Sequence, residues 1–114
     1  TQGVSSAASD VYKRQVEIDY LVPLARIQES VPAHRAYLQR GYDAGLLLCS
    51  GPKVPATGGF MLARAESLEQ LQAFFLDDPF SREQLARFAF SEFQPVKRQP
   101  WAEDWFAAPS ARAA

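Results

Sequence analysis

The chain has 114 residues, of which 47% are hydrophobic and 22% charged, ordinary values for one globular domain with a single core. Its 12 basic and 13 acidic residues leave a net charge of -1, so no overall field would recruit nucleic acid or an anionic membrane. The single cysteine, Cys49, excludes an internal disulfide, no Cys/His cluster offers metal ligands, and no apolar run approaches the roughly 18 residues of a membrane span. We therefore expect a cytoplasmic protein that uses neither a metal nor an organic cofactor.

The first 15 residues, TQGVSSAASDVYKRQ, show neither helical nor alternating periodicity. They contain no apolar segment of the kind found in a secretory signal. The string SSAASDVYKRQ resembles a translated sequencing adapter fused to a metagenomic reading frame. We therefore expect residues 1–15 to be a non-native, disordered lead, with Val16 in the place of an initiator methionine.

The next segment predicts a strand followed by a helix. Residues 16–24 are rich in β-branched and aromatic side chains, which favour a strand, and Pro23 indicates that pairing ends there. Ser30 is a good N-cap, and Pro32 costs no hydrogen bond in a first turn. A helix is therefore expected over residues 30–45, which closes on a glycine.

The middle of the chain predicts two strands and a second helix. Residues 46–51 form a short apolar run, residues 52–59 a turn-rich loop, and residues 60–65 a returning strand. Ser67 begins a capping box of the S-x-x-Q form. The helix that it opens should end before Asp78, because a residue that precedes proline is pushed out of the α region.

The last strand and the order of the elements define the fold. Residues 79–83 predict one short turn, and residues 85–96 alternate, with Phe88 and Phe90 on one face and Phe93 on the other. The order βαββαβ is that of the ferredoxin-like α+β fold, a four-stranded antiparallel sheet with both helices on one face. Because the aromatic side chains of the last strand indicate that the second face is buried too, we expect a homodimer that packs sheet against sheet.

The C-terminal tail, residues 99–114, carries Trp101, Trp105 and Phe106 in one short segment. We expect these aromatic side chains to dock on the body of the domain or on a partner chain. Residues 107–114 are expected to be disordered, as chain ends without apolar anchors commonly are.

His34 is the only histidine, and it lies on the apolar stripe of the first predicted helix with Val31, Leu38 and Tyr42. The imidazole is therefore predicted to face the sheet. An inward imidazole is either a packed, hydrogen-bonded core residue or a working acid/base, and periodicity alone favours the core residue. Asp78, followed by proline, is first of all an N-cap, but a capping carboxylate could also orient an imidazole.

A second group of candidates surrounds the loop between the two middle strands. Ser50, Gly51 and Gly59 could bring a hydroxyl group and backbone amides close to a ligand, and Lys53 could meet an anion. Gly-Pro and Gly-Gly are more often plain turns, so this alternative stays open. Cys49 is interpreted as inert packing inside an apolar strand, because no base accompanies it.

Taken together, these motifs resemble the YciI-like (YCII-related) family over residues 16–98. The resemblance rests on the helix histidine, the A-G-x-L…S-G-P segment, the Gly-Gly strand entry and the Asp-Pro-Phe after the second helix. It implies a ferredoxin-like fold that forms a dimeric α/β barrel, and a site built on a histidine–aspartate pair, here His34 and Asp78. A minority of relatives are enzymes, including a dehydrochlorinase of chlorinated hydroxyhydroquinones. Members often have a glycine shortly after Asp-Pro-Phe, whereas this chain has SREQ at residues 81–84.

The residues support two functional hypotheses. The first is a cofactor-independent lyase or hydrolase that acts on a small, aromatic or chlorinated molecule. In it Asp78 fixes the tautomer of His34, whose other nitrogen moves a proton. Tyr37 would lend a phenolic donor, and Ser50 with the amides near Gly51 would stabilise negative charge. The second hypothesis is a non-catalytic dimeric module that binds a small ligand or a partner protein, which the aromatic tail favours.

Overall fold

A computed structural model describes residues 12–107, and within this range the elements follow the order βαββαβ. The elements of the domain body are β1 (Tyr12–Tyr20), α1 (Leu24–Asp43), β2 (Leu47–Pro52), β3 (Gly58–Ala65), α2 (Leu68–Leu76), α3 (Pro79–Arg82) and β4 (Ala86–Phe93). The described strands form a four-stranded antiparallel sheet in the order β2-β3-β1-β4. The predicted ferredoxin-like α+β fold is confirmed, with α3 as an additional single turn. Across the described residues, no helix is both long enough and apolar enough to span a membrane.

The hydrophobic core lies between one face of the sheet and the helices. Val16 and Ile18, alternate residues of β1, are buried, and their cross-strand partners on β4 are Phe90 and Phe88. The ring of Phe75 on α2 lies 5.2 Å from that of Phe88 and 5.9 Å from that of Phe90. Two of the aromatic side chains from which a buried second face was inferred therefore belong to the first face, against the helices.

β1 begins at Tyr12 rather than at residue 16. Its first residues pair on both sides, with Ala65 of β3 opposite Tyr12 and Ser91 of β4 opposite Gln15. Because β1 is an inner strand, its backbone groups need partners on both neighbours, and both neighbours extend this far. The expectation of a disordered lead is therefore wrong for residues 12–15, while residues 1–11 lie outside the described range.

α1 begins at Leu24 rather than at Ser30. The carbonyl group of Pro23 accepts the first backbone hydrogen bonds of the helix. The segment LARIQE before Ser30 is rich in good helix formers, and its fully buried Ile27 continues the inward face by one more turn. Pro32 consequently lies inside the helix, where it lacks the N–H group that would bond to the preceding turn.

A β-bulge in β2 decides which side chains reach the helix side of the sheet. Leu47 lies opposite Ala63, but the register shifts before Cys49, so that Ser50 lies opposite Met61. Ser50 thus shares the helix side with Met61. Cys49 lies on the opposite face, where it is exposed rather than packed as predicted.

The second half of the domain follows the predicted start and stop signals closely. The hydroxyl group of Ser67 accepts the backbone N–H of Gln70 at 3.1 Å, so α2 begins at the predicted cap. β4 covers Ala86–Phe93, a shorter strand than the predicted 85–96. Pro95 lacks the N–H group that a ladder needs, which explains why pairing stops before it.

The tail continues beyond β4 as a 3-10 turn (Pro100–Ala102) and a short helix, α4 (Glu103–Ala107). Arg64 of β3 connects the tail to the domain body. Its guanidinium group donates to the carbonyl oxygen of Trp105 and lies 4.9 Å from the centroid of the Trp105 ring. Trp105 therefore packs against the body of its own chain, whereas Trp101 is 79% exposed.

Candidate functional site

A pocket of about 260 Å³ opens between α1, the sheet and α3. Its polar lining comes from His34 and Arg35 of α1 and from Ser50 of β2. The rest of the lining is mainly apolar and comprises Ile18, Tyr20, Val31, Leu38, Met61 and Phe80, with the stretch where β2 meets β3, Gly51, Pro52, Gly59 and Phe60. An apolar cavity of about 150 Å³ already holds benzene, so this pocket has the size of one substituted ring.

His34 and Asp78 form a buried polar pair at this pocket. The Nδ1 atom of His34 lies 2.9 Å from each carboxylate oxygen of Asp78. The Asp78 side chain is 0% exposed and that of His34 is 12% exposed. On the other side of the ring, Nε2 of His34 has no hydrogen-bond partner within the described residues and is not fully buried, and the His34 side chain lines the pocket. The arrangement therefore leaves one ring nitrogen open to a ligand.

The junction between α2 and α3 holds Asp78 in place. Its Oδ1 atom accepts the backbone N–H of Phe80 at 2.8 Å, and Pro79 occupies the first position of α3. This is the N-cap contact that the Asp-Pro sequence predicts. The carboxylate thus caps α3 and orients the imidazole at the same time.

Two aromatic side chains support the imidazole from its face. The ring of Phe80 stacks on His34, with 3.9 Å between the ring centroids and 2° between the planes. The ring of Tyr20 meets Phe80 edge-on at 6.1 Å. Neither contact was predicted from the sequence. The signal was nevertheless present, because a cap that brings Asp78 to His34 must also bring Phe80, two residues later.

A polar cluster joins the end of α3 to the first turns of α1. The Oε1 atom of Glu83 lies 2.6 Å from the guanidinium group of Arg26 and accepts a hydrogen bond from the Ser30 hydroxyl group at 3.2 Å. The hydrogen bond from Arg26 lowers the pKa of the Glu83 carboxyl group. The cluster fixes α3, and with it Asp78, against the helix that carries His34.

The turn that leads into β4 takes a left-handed backbone conformation at Gln84, whose φ is 57°. This region favours glycine, because a Cβ atom crowds the backbone there. The segment SREQ, where the resembled family often has a glycine, therefore contains a position at which glycine would be favoured.

The β2–β3 end of the pocket contains three of the predicted binding residues. The hydroxyl oxygens of Ser50 and Tyr42 lie 2.6 Å apart, so α1 orients the Ser50 hydroxyl group. A Cβ atom at Gly59 would lie 3.3 Å from the carbonyl oxygen of Gly51, which shows how closely the two strands approach there. Ser50, Gly51 and Gly59 all line the pocket.

Two other predicted residues do not line the pocket. The Tyr37 hydroxyl group donates to the carbonyl oxygen of Phe74 at 2.5 Å, between α1 and α2, and burial raises its pKa. The Lys53 ammonium group lies 2.6 Å from a carboxylate oxygen of Glu17 and 2.9 Å from one of Asp19, and its hydrogen bonds to them raise its pKa. Tyr37 is thus committed to the backbone, and the charge of Lys53 is compensated twice.

The side chains at the pocket offer proton transfer and hydrogen bonding. Within residues 12–107, no group of three or more His, Cys, Asp or Glu side chains could hold a metal ion. An oriented imidazole with an open nitrogen can take or deliver a proton. Burial raises the pKa of Tyr20, and the nearby charge of Arg35 offsets this only in part, so the phenol group stays protonated near neutral pH and can donate a hydrogen bond.

Comparisons with known proteins add a family and a fold. The family profile described as the YCII-related domain matches residues 11–94. No curated protein matches the chain. A similar solved structure is 5-chloro-2-hydroxyhydroquinone dehydrochlorinase from Burkholderia phenoliruptrix in complex with 2,5-dihydroxybenzoquinone, with a TM-score of 0.63 and 19% sequence identity. The similarity covers 72% of this chain and 93% of that chain, and at this identity it shows that the fold is shared.

Proposed function

The chain belongs to the family of YCII-related domains, and we propose that it is a cofactor-independent lyase in which His34, oriented by Asp78, acts as the general acid/base. The proposal rests on the 2.9 Å contact between Nδ1 of His34 and the Asp78 carboxylate, and on the free Nε2 atom of a ring that lines the pocket. A positioned imidazole typically accelerates a proton-transfer step by about 10²–10⁴-fold.

The proposed reaction is the elimination of a leaving group from a small ring compound. Nε2 of His34 takes a proton from one ring hydroxyl group and delivers it to the ring carbon that bears the leaving group, which gives the keto tautomer. Nε2 then accepts the proton of a second hydroxyl group, and the electron pair of that O–H bond moves through the ring and expels the leaving group from this carbon, for example as chloride, which leaves the quinone. The Asp78 carboxylate stabilises the imidazolium through the hydrogen bond that it keeps with Nδ1–H. His34 then returns the proton to solvent, so that one proton and one chloride are released in each turnover.

Elimination is favoured by the similar solved structure, whose name describes a dehydrochlorinase of a chlorinated hydroxyhydroquinone. The pocket agrees with a substrate of this class, because its walls are mainly apolar and its volume suits one ring. The Ser50 hydroxyl group, oriented by Tyr42, can donate to a ring oxygen as negative charge develops on it.

Turnover of chlorinated hydroxyhydroquinones tests the proposal, with chloride release and quinone absorbance as readouts. His34→Gln should lower kcat by about 10²-fold or more, because it removes the base. Asp78→Asn should also lower kcat, since it keeps an oxygen atom for the cap but removes the charge that stabilises the imidazolium. Cys49→Ser, on the opposite face of the sheet, is the control and should leave kcat unchanged.

Two outcomes would contradict the proposal. Turnover retained in His34→Gln would remove this residue from the mechanism. Binding of ring compounds without chemical change in the wild type would favour the alternative, a non-catalytic module that binds a small ligand.

We further propose that two copies of the chain pack through the face of the sheet that points away from the helices. On this face Phe60 is 39% exposed and lies opposite Glu17, whose other neighbour is the exposed Ala89. Glu17 itself is paired with Lys53, so its charge is compensated within the chain. Apolar side chains beside a compensated charge can form a self-complementary contact around a twofold axis.

Sedimentation of the wild type and two variants tests the homodimer. The wild type should sediment as a dimer, and Ala89→Glu should give monomers, because it places an uncompensated charge in the contact. Ala73→Glu, which changes an exposed residue of α2 in the same way, should remain dimeric. A monomeric wild type, or dimers that persist in Ala89→Glu, would contradict this proposal.

A further inference from the structure

Arg35 lines the pocket beside His34 on α1, and its guanidinium group is not engaged by the protein. In the part of the chain that the structure describes, it makes no hydrogen bond or ion pair. Arg26 and Arg98, by contrast, bind Glu83 and Glu103 at 2.6 and 2.7 Å. A guanidinium group without an internal partner at a pocket is available to a ligand, and its planar donors match the oxygens of an anion.

The charge of Arg35 acts on a second group of the pocket lining. Tyr20 feels this charge, which offsets part of the increase in pKa that burial causes, and its phenol group remains a donor. Tyr20 is connected to the catalytic pair through Phe80, which it meets edge-on and which stacks on His34. Arg35 and Tyr20 thus form a donor-rich end of the pocket, one ring away from the imidazole.

The remaining walls favour a ring over a polar chain. Ile18, Val31, Leu38 and Met61 contribute apolar surface, which excludes water and strengthens an ion pair formed beside it. The nearby carboxylate of Asp78 is 0% exposed and accepts hydrogen bonds from His34 and from the backbone N–H of Phe80. A negatively charged ligand would therefore meet an open cation at Arg35, while the carboxylate of Asp78 is buried and hydrogen-bonded within the protein.

We propose that this pocket binds a small aromatic anion, whose carboxylate or ring oxygen is held by Arg35 and Tyr20 while its ring lies against the apolar walls. The proposal names the substrate class of the same site and in that sense rests on the proposed function. Arg35 then determines specificity, because it distinguishes an anion from a neutral molecule of the same shape.

Benzoate and benzamide are suitable probes, because they have nearly the same shape and differ in charge. His34 is the only histidine in the chain, so its ring-proton NMR signals report binding at the pocket without further assignment. Benzoate should shift these signals saturably and bind about tenfold or more tightly than benzamide, the effect of one charge-assisted contact.

Two arginine variants test whether Arg35 causes the preference for benzoate over benzamide. Arg35→Gln should weaken benzoate binding by about tenfold and leave benzamide binding unchanged. Arg40→Gln removes the same charge from the same helix, but Arg40 lies over the ring of Tyr37, away from the pocket, so both affinities should stay as in the wild type. Equal affinities of the wild type for the two probes, no binding of either probe at millimolar concentration, or equal losses in the two variants would overturn the proposal.

The result of the benzoate experiment does not depend on whether the protein is a lyase. Benzoate binding that depends on Arg35 supports the ligand class even where chlorinated substrates are not turned over. Turnover that is lost in His34→Gln but unaffected by Arg35→Gln would support the lyase and overturn the role of Arg35.

Discussion

The contact between His34 and Asp78 should be measurable as a coupling free energy. Asp78→Ala removes two interactions, the N-cap bond to Phe80, worth about 1 kcal/mol, and the charge-assisted hydrogen bond with His34, worth about 1.5–3 kcal/mol. His34→Ala removes the second interaction together with the stack on Phe80. Because the two side chains are 0% and 12% exposed, solvent screens their contact little.

We therefore expect Asp78→Ala to lower the free energy of unfolding by about 2–4 kcal/mol, and the double-mutant cycle to give a coupling of about 1–3 kcal/mol. Urea unfolding near neutral pH, followed by circular dichroism for the wild type, both single variants and the double variant, provides the four values. Asp78→Asn, which can still cap α3, should cost less than Asp78→Ala. A coupling below about 0.5 kcal/mol would refute the reasoning, because independent sites add to within that margin.

Three further predictions concern the turns and the pH dependence of stability. Gln84→Gly should raise the free energy of unfolding by up to about 1 kcal/mol, because glycine adopts a φ of 57° without strain; a lower melting temperature would contradict this. Gly58→Ala should lower the free energy of unfolding by about 1–3 kcal/mol or more, because its Cβ atom would lie 1.8 Å from a carbonyl oxygen of β1. Gly51→Ala is the control, since its Cβ atom would have no atom within 4 Å, and it should shift the urea midpoint little. Similar losses in both would argue against the tight β1–β3 contact. The hydrogen bond from Arg26 lowers the pKa of the Glu83 carboxyl group in the folded protein. The ionised carboxylate therefore stabilises the fold at pH values above its ordinary pKa of 4.5, and this stabilisation is lost as the pH falls through the lower folded pKa. The difference in urea midpoint between the wild type and Glu83→Gln should therefore shrink as pH falls from about 7 to about 3, and a constant difference would contradict the assignment.

His34 and Asp78 could each be identified from local patterns, but the contact between them could not. The apolar stripe that contains Val31, Leu38 and Tyr42 predicted that the imidazole of His34 faces the sheet. The aspartate before proline predicted a rigid N-cap at Asp78. Neither pattern shows that two side chains 44 residues apart meet. That contact came only from the family resemblance, because the packing of α3 on α1 depends on the whole fold.

Element boundaries were wrong where two local signals competed. Ser30 followed by Pro32 has the form of a helix start, yet the helix formers before it and the buried Ile27 extend α1 back to Leu24. Packing of an apolar face outweighed the missing hydrogen bond of Pro32. The start of β1 was misplaced for a different reason. Residues 12–15 carry no periodicity of their own, and they form a strand because β3 and β4 pair with them on both sides.

The remaining parts of the site depend on strand register, which local sequence does not reveal. Lys53 was assigned to the pocket from its place in a glycine loop, but the sheet brings it to Glu17 and Asp19 on β1. Arg35 and Tyr20 carried no motif, and they share the pocket only because β1 packs under α1. The sequence thus identified residues whose side chains could take part in binding. Only the tertiary structure shows which of them are bound to other residues of the protein and which are available to a ligand.

The central claim is that Asp78 holds the proton of a neutral His34 ring on Nδ1 and leaves Nε2 as the basic atom in the pocket. Nitrogen NMR of the single imidazole, recorded at a pH at which the ring is neutral, measures which nitrogen carries the proton. We expect the proton on Nδ1 in the wild type. A neutral ring with its proton on Nε2 would contradict it, because that nitrogen could not then accept a proton from a substrate.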